Sequence, residues 1–330
     1  MTNRPLITTI SGGTGGVRVA EGLGAYKQQI DLACITTMAD SGGSSGVLKD
    51  EYGILPPGDI LKLLVATSQN PKAIRDLLVH RYDSGLLKNH SLGNIIITAV
   101  EKEIGRKGVV KMLSDWWDCW AKIIPVTYDD VSIRATTKRG RVIDHEDQID
   151  RVMNDDILDF IEYIDRPSVN SDAIESIINS ELIVIAPGDL FTSNLPVLII
   201  PEIQQAMRNS DGKVVLITPL MNKFGHTNDF EVLHYIQAYE KVLGSGSIDI
   251  VMCNTGKPHQ DVMDRYAQEG QLVTNITPLP VHIRVIANDY IIKHPFEKVK
   301  GDPVDRSIVR HDSVRLCSDL YDLLQQNRPA

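Results

Sequence analysis

The sequence predicts an α/β protein: a Rossmann-like three-layer α/β/α sandwich on a mainly parallel sheet, with a smaller inserted subdomain. Three observations carry this. Short apolar, β-branched runs alternate with stretches of helical length, as strands joined by crossover helices require. The first run leads into Ser11-Gly12-Gly13-Thr14-Gly15-Gly16, four glycines in five residues, and helix-compatible sequence follows. Small polar loops also follow the later runs, and in open parallel sheets ligands sit outside the carboxyl ends of the strands.

Taken in order, the run at 7–10 is the first strand and 17–26 the first helix. Leu32-Ala33-Cys34-Ile35-Thr36-Thr37 reads as a buried parallel strand, and 40–46 as a second small-residue loop. Pro56-Pro57-Gly58-Asp59 starts a helix, with proline in its first turn and an acid beside it. Residues 71–80 are helical, and Asn89 to Asn94 introduces an apolar helix over 95–104. From about 106 to 165 the pattern changes. A helix over 108–121 carries Trp116, Trp117 and Trp120, all the tryptophan of the chain. Short strand-like pieces at 123–126, 131–135 and 141–143 follow, with Lys138-Arg139-Gly140 as a hairpin turn and an acidic stretch at 144–159. Residues 1–105 and 166–330 are thus expected to form the core, and 106–165 an inserted α+β subdomain. Alternation then resumes: helix 171–179, strand 182–186, loop Pro187 to Asn194, helix 201–209, strand 214–218 and helix 229–243. Strand 248–254, helix 259–268, short strands near 272–274 and 282–286, and a helix over 312–326 complete the chain.

The balance is acidic, with 43 Asp+Glu against 34 Lys+Arg, which argues against a broad nucleic-acid surface. An anionic ligand must then be held by local devices: helix N-termini, backbone nests and single arginines. Cys34, Cys119, Cys253 and Cys317 form no Cys-x-x-Cys pair and read as reduced thiols, three of them in apolar surroundings. No signal peptide precedes the first strand and no apolar run reaches membrane-spanning length, so a cytoplasmic location is expected. The histidines include no His-Glu-x-x-His and no Cys/His cluster, so no transition-metal site is expected.

The glycine turn presents backbone N–H groups at the positive end of a helix dipole, a geometry that suits a phosphate. It is not a Walker A loop, because no Gly-Lys-Ser/Thr follows, and Arg18 stands where a dinucleotide fingerprint has its third glycine. Gly12, Gly13, Thr14, Gly15 and Gly16 are therefore candidate phosphate-binding residues. Asp40 ends the second strand, near where a dinucleotide fold places its ribose-reading acid; it could equally hold Mg²⁺ against a diphosphate. Gly42-Gly43-Ser44-Ser45-Gly46 matches Gly-x-Ser-x-Gly, but a nucleophile elbow needs an immediate helix and 47–53 is a poor one. A hydroxyl-rich loop folding over phosphate oxygens, with Ser41, Gly42, Gly43, Ser44 and Ser45, fits better. Asp59 stands near a helix start, where it is also a dipole-matched acid. His90 could act as general acid/base or phosphate partner. Ser91 and Asn94 would lie in a helix first turn, as would Thr192 and Ser193 after Pro187-Gly188-Asp189; each pair also suits a capping role. Trp116 and Trp120 are expected in core or lid packing.

Several of these segments together resemble the CofD/YvcK-like family of 2-phospho-L-lactate transferases and bacterial gluconeogenesis factors, closer to the second branch. The resemblance rests on Gly12 to Gly16, Asp40 to Gly46, Pro56 to Asp59, His90 to Asn94, Pro187 to Ser193, Met221 to Thr227 and Arg310-His311-Asp312, in that order. It implies a nucleoside diphosphate lying across the glycine loops. In the transferase branch it implies transfer of phospholactate from lactyl-2-diphospho-5′-guanosine to a deazaflavin, with Mg²⁺, in coenzyme F420 biosynthesis. In the gluconeogenesis-factor branch it implies UDP-sugar binding and effects on carbon metabolism, cell shape and cell-wall synthesis. Gly188, Asn222, Thr227 and Arg310 become candidate nucleotide-binding residues on this ground, and Asp40 and His90 catalytic ones if the protein is a transferase. Three departures from the family pattern bear on turnover more than on binding: Ser41 replaces an expected second aspartate, His226 stands where glutamate is usual, and Asn222-Lys223 replace a Thr-Gln pair. The expected partners are a small nucleotide or nucleotide-sugar and a second copy of the chain, in a homodimer, with neither nucleic acid nor a membrane.

Overall fold

A computed structural model describes residues 4–153, 156–292 and 309–326. In chain order the strands are β1 (Leu6–Ser11), β2 (Asp31–Thr36), β3 (Lys122–Pro125), β4 (Ile133–Thr137), β5 (Val142–Asp144), β6 (Leu158–Tyr163), β7 (Leu182–Ile185), β8 (Lys213–Ile217), β9 (Ile250–Asn254) and β10 (Arg284–Asn288). Seven of them form one sheet in the order β10-β9-β8-β7-β1-β2-β3, and every pairing within it is parallel. The other three form a small antiparallel sheet, β5-β4-β6. Growth of the main sheet reverses between β1 and β7, which makes that gap the topological switch point where such folds bind ligands.

The buried strands alternate their side chains between two cores. Ile7, Leu32, Cys34, Leu182 and Val184 join a cluster with residues of helices Thr14–Leu23, Pro57–Thr67, Leu92–Ile104, Arg106–Trp116 and Ser313–Gln326. Ile10, Ala33, Ile35, Ile183 and Ile185 join the other, with helices Ser171–Ile178, Pro201–Asn209 and Val232–Leu243 and the inner face of the small sheet. Period-2 alternation with apolar residues on both faces is what a sheet covered on both sides demands. The three-layer sandwich is thus present, with its parallel sheet and its small companion.

The segment 106–165 is divided between the two sheets. β3 pairs with β2 as the edge of the main sheet, and helix Arg106–Trp116 packs beside it, with Val109, Val110 and Leu113 buried. The separate sheet comprises residues 133–163, where Lys138-Arg139-Gly140 turns β4 into β5 and β6, within and beyond the acidic stretch, pairs with β4. Local readings change at several other points. A ten-residue helix, Gly43–Tyr52, replaces the expected loop and poor helix. It forms because Leu48 is buried, Lys49 donates to the Val131 carbonyl at 2.6 Å, and Gly53 closes the helix in the left-handed conformation. Tertiary contacts override the weak propensity. Residues 190–194 form a π turn, not a plain loop, and helix Leu195–Leu198 follows. The expected strand at 272–274 is reduced to one bridge, Met221 to Leu272. Trp117, at 4% exposure, is the buried tryptophan, whereas Trp116, at 61%, lies on the surface and not in a core. All four cysteines are free thiols. No helix among the described residues is long and apolar enough to cross a membrane.

Candidate nucleotide site

Four helices begin at one place, outside the carboxyl ends of β1 and β2: Thr14–Leu23, Gly43–Tyr52, Pro57–Thr67 and Leu92–Ile104. Contacts link them in series. The Gly13 N–H, ahead of the first helix, donates to Asp59 Oδ2 in the first turn of the third at 2.8 Å. A Cβ on Gly58 would fall 2.3 Å from Ser45 Oγ, so the second and third helices meet at their first turns. Asn94 Nδ2, in the fourth, donates to Ser44 Oγ in the second at 3.1 Å. Converging helix N-termini concentrate partial positive charge and unpaired N–H groups, the local means by which an acidic protein can hold an anion.

The glycine turn owes its shape to its neighbours. Gly13 has φ +74°, a conformation that a β-branched residue resists. At Gly15 a Cβ would fall 1.8 Å from the Pro187 carbonyl, so the loop after β1 presses directly on the loop after β7. Gly12 is wedged between Thr37 and Ser193, which completes the contact among the loops after β1, β2 and β7. The expected Thr192 and Ser193 therefore lie beside the glycine turn. Their N-terminal turn is organised by Asp189, whose Oδ1 accepts the Phe191 and Thr192 N–H groups, each at 2.9 Å. Gly188 lies against the Asn194 side chain.

Carboxylates crowd the same place. Asp40 Oδ1 accepts the Gly42 N–H at 2.9 Å. Burial first, and the Asp59 charge second, raise its carboxyl above the ordinary range. Burial pushes Asp59 the same way, but Lys62 at 2.8 Å and the Gly13 N–H outweigh it and hold this acid low. Glu146 arrives from the small-sheet segment: its Oε2 accepts the Ser41 N–H at 3.4 Å. Burial, with Asp40 and Asp150 nearby, raises it to about 8. The Asp147 N–H donates to Ser41 Oγ at 3.0 Å. The loop after β2 is thereby fastened to the inserted segment.

Mg²⁺ finds limited protein ligation here. Both Asp59 oxygens already accept donors, and no cluster of three or more acidic, His or Cys side chains suited to a metal occurs among the described residues. Asp40 also accepts the Gly42 N–H and has the Ser45 hydroxyl against it, so it would offer a Mg²⁺ ion at most one carboxylate, with water and phosphate completing the shell.

Not every expected residue meets in the crevice. Ser91 caps helix Leu92–Ile104 by accepting the Asn94 N–H at 3.3 Å. Asn222 holds Gln271 through a 2.6 Å bond from the Gln271 N–H and a 2.8 Å bond to its carbonyl, so its polar groups serve a loop–loop contact. Thr227 accepts the Lys223 N–H of its own loop at 3.0 Å and the Tyr235 hydroxyl of helix Val232–Leu243 at 3.1 Å. Arg310 adjoins His311, whose segment bridges to Ile291. His90 faces Ser44, with Nδ1 at 2.9 Å from the hydroxyl.

Glu146, Asp147, Asp189 and Lys223 were not expected at or around the site. Glu146 and Asp147 gave no spacing signal within an acidic run. Asp189 looked like one acid in a loop, although Asp followed at the third position by Thr is a capping pattern. It is in fact a hub: its Oδ2 lies 2.8 Å from His226 Nδ1 and 3.6 Å from Lys223 Nζ. Against the opposing effect of burial, the His226 ring and Lys223 hold it well below the ordinary range. His226 Nε2 also reaches the Ile149 carbonyl at 3.0 Å, and Lys223 pairs with Asp150. The loop after β7 is thus strapped to the inserted segment from below. A cleft of about 340 Å³ beside Leu6, Asp31, Trp120 and Lys122 lies at the opposite end of the sheet, at the strand starts.

Fold and crevice together define a Rossmann-like α/β protein with its loops gathered at the switch point of the sheet. The profile of the CofD family, described as 2-phospho-L-lactate transferase CofD, matches residues 7–291, and the chain belongs to that family. It is similar to a protein provisionally named a gluconeogenesis factor from Thermoanaerobacterium thermosulfurigenes, 30% identical over 331 residues, covering 98% of each chain. It is similar also to one of that name from Streptococcus pyogenes serotype M1, 33% identical over 266 residues, covering 79% of this chain and 81% of the relative. The fold matches a crystal structure of a UPF0052 family member from Bacillus halodurans with a TM-score of 0.86, at 24% identity, covering 97% of this chain and 100% of that one.

Proposed function

We propose that the crevice binds the diphosphate of a nucleotide-sugar, in particular a UDP-sugar, and that the protein is a regulator of the gluconeogenesis-factor type affecting carbon metabolism, cell shape and cell-wall synthesis. The observation that carries the reading is the series of contacts that joins four helix N-termini to the glycine turn. The raised carboxyls of Asp40 and Glu146 support it, because burial opposes the negative charge that would repel a diphosphate. The provisional name shared by relatives near 30% identity agrees with it.

A second reading follows from the description of the family and from Asp40. A phospho-acyl group would pass from a nucleoside diphosphate, lactyl-2-diphospho-5′-guanosine, to a deazaflavin hydroxyl; Asp40 would hold a Mg²⁺ ion, which would supply neutralisation of phosphate charge. Such a transfer needs positioning and charge neutralisation more than covalent help from the protein. Calorimetry with UDP-N-acetylglucosamine and GDP side by side separates the two. Saturable binding of the UDP-sugar alone supports the regulator; Mg²⁺-dependent product from the guanosine donor and deazaflavin establishes the transferase. Absence of binding by either nucleotide refutes both.

A further inference from the structure

The segment Gly42-Gly43-Ser44-Ser45-Gly46 is set apart from a nucleophile elbow by the expected lack of a following helix, and the helix is there. Ser44 is its second residue. The hydroxyl lies 2.9 Å from His90 Nδ1, while Asn94 Nδ2 donates to the same oxygen at 3.1 Å. A serine hydroxyl has one proton. Asn94 fills one of the two acceptor sites on Oγ. In the His90 tautomer that carries its proton on Nε2, Nδ1 is the acceptor of the serine proton and is placed to take it.

The surroundings favour charge on that oxygen. The Gly46 N–H is the first to reach back within the helix, to the Gly42 carbonyl at 3.0 Å. The N–H groups of Gly43, Ser44 and Ser45 have no intrahelical acceptor and lie at the positive end of the dipole. A Cβ on Gly43 would meet nothing within 4 Å, so there is room beside the serine. An independent sign of a ligand is Asn94, only 3% exposed, whose amide head is at Ser44 and whose Oδ1 has no hydrogen-bond partner among the described residues. A buried acceptor left open is costly, and a ligand hydroxyl or a water carried with it would satisfy it.

We propose that Ser44 is a nucleophile toward electrophilic phosphorus, with His90 as its base and the N-terminus of helix Gly43–Tyr52 as the oxyanion stabiliser. With a diphosphate ester, Ser44 Oγ forms the O–P bond and the bridging P–O bond breaks. A nucleoside monophosphate leaves, and the serine proton goes to His90 Nδ1. An alcohol or water then attacks the same phosphorus, the bond to Ser44 breaks, His90 returns its proton to Oγ, and the attacker's proton passes to solvent. Only the identity of that ligand rests on the nucleotide reading; the reactivity of the serine does not.

The test treats the full chain with an alkyl fluorophosphonate, where Ser44 Oγ replaces fluoride on phosphorus, and reads the intact mass and the modified peptide. The expected result is one adduct per chain on Ser44, none in Ser44→Ala, and labelling at least tenfold slower in His90→Gln. Thermal unfolding of both variants shows that each remains folded. No adduct on the wild type, an adduct on another residue, or labelling of His90→Gln at the wild-type rate overturns the proposal. The nucleotide reading survives any of these outcomes, since calorimetry tests it separately.

Discussion

Asp59 accepts the backbone N–H of Gly13 at 2.8 Å, so the first turn of one helix caps the start of another. Its second oxygen takes Lys62 at 2.8 Å. A buried carboxylate with both oxygens occupied joins the glycine turn to the neighbouring helix, and the turn cannot shift without breaking a charge-assisted bond. Asp59→Ala should cost about 1.5–3 kcal/mol, because it leaves the Gly13 N–H without its acceptor. Asp59→Asn keeps an acceptor and should cost less than half of that. Urea unfolding of the two variants beside the wild type measures both; equal loss in the two would show that charge alone matters.

The glycines of the turn should divide by cause. Gly15→Ala places a Cβ against the Pro187 carbonyl and should destabilise by about 3 kcal/mol or more, whatever ligand is present. Gly13→Val meets no close atom but must hold a β-branched residue near φ +74°. Its cost should stay near 1–3 kcal/mol, while nucleotide affinity drops beyond detection. Melting temperature and calorimetric affinity, taken on both variants, separate the packing glycine from the binding one. A Gly13→Val protein with wild-type affinity would move the ligand away from this turn.

The architecture was legible because its signals are periodic. β1, β2, β7, β8 and β9 are short β-branched runs, and the helices between them are long enough to cross back over the sheet. Where the signal was weak, tertiary contacts decided. Helix Gly43–Tyr52 has four small residues at its start and little propensity, and is held by Leu48 and Lys49. β3 read as part of an insertion because parallel pairing with β2 leaves no local mark in the sequence. In the crevice, Gly12 to Gly16, Asp40 and Ser44 were visible from composition. Glu146 was not, since it is separated from Ser41 by more than a hundred residues and nothing in an acidic run says which acid turns inward. Asn222 and Thr227 entered by resemblance, yet the Asn222 side chain holds the Gln271 loop and Thr227 closes its own.

Asp189 should be the most sensitive acid outside the glycine turn. One oxygen orders the turn at Phe191 and Thr192 while the other faces His226 and Lys223. Asp189→Ala removes the cap and leaves the buried His226 without its carboxylate, while Lys223 keeps Asp150, a loss of about 3–5 kcal/mol. Asp189→Asn retains the cap and should lose less. Hydrogen exchange should locate the damage in two places, at 190–194 and at 146–150, because His226 and Lys223 also hold Ile149 and Asp150. Damage confined to 190–194 would show that the strap to the inserted segment is not carried by this acid.

Glu146 makes stability depend on pH with a definite sign. In the unfolded chain its carboxyl ionises near the ordinary glutamate value of 4.5; in the folded protein burial, then Asp40 and Asp150, raise it to about 8. Between these values the folded state binds the proton and the unfolded state does not. Stability must therefore fall as pH rises through this window, and above about pH 8 the full penalty applies. For a half-buried side chain that solvent partly screens, the penalty is on the order of 2 kcal/mol. Glu146→Gln cannot ionise and still offers an amide oxygen to the Ser41 N–H. It should match the wild type near pH 5 and exceed it by about this amount near pH 8.5. Urea midpoints at half-unit steps of pH trace the difference, and parallel curves for the two proteins would mean that the proton belongs to Asp40 and not to Glu146.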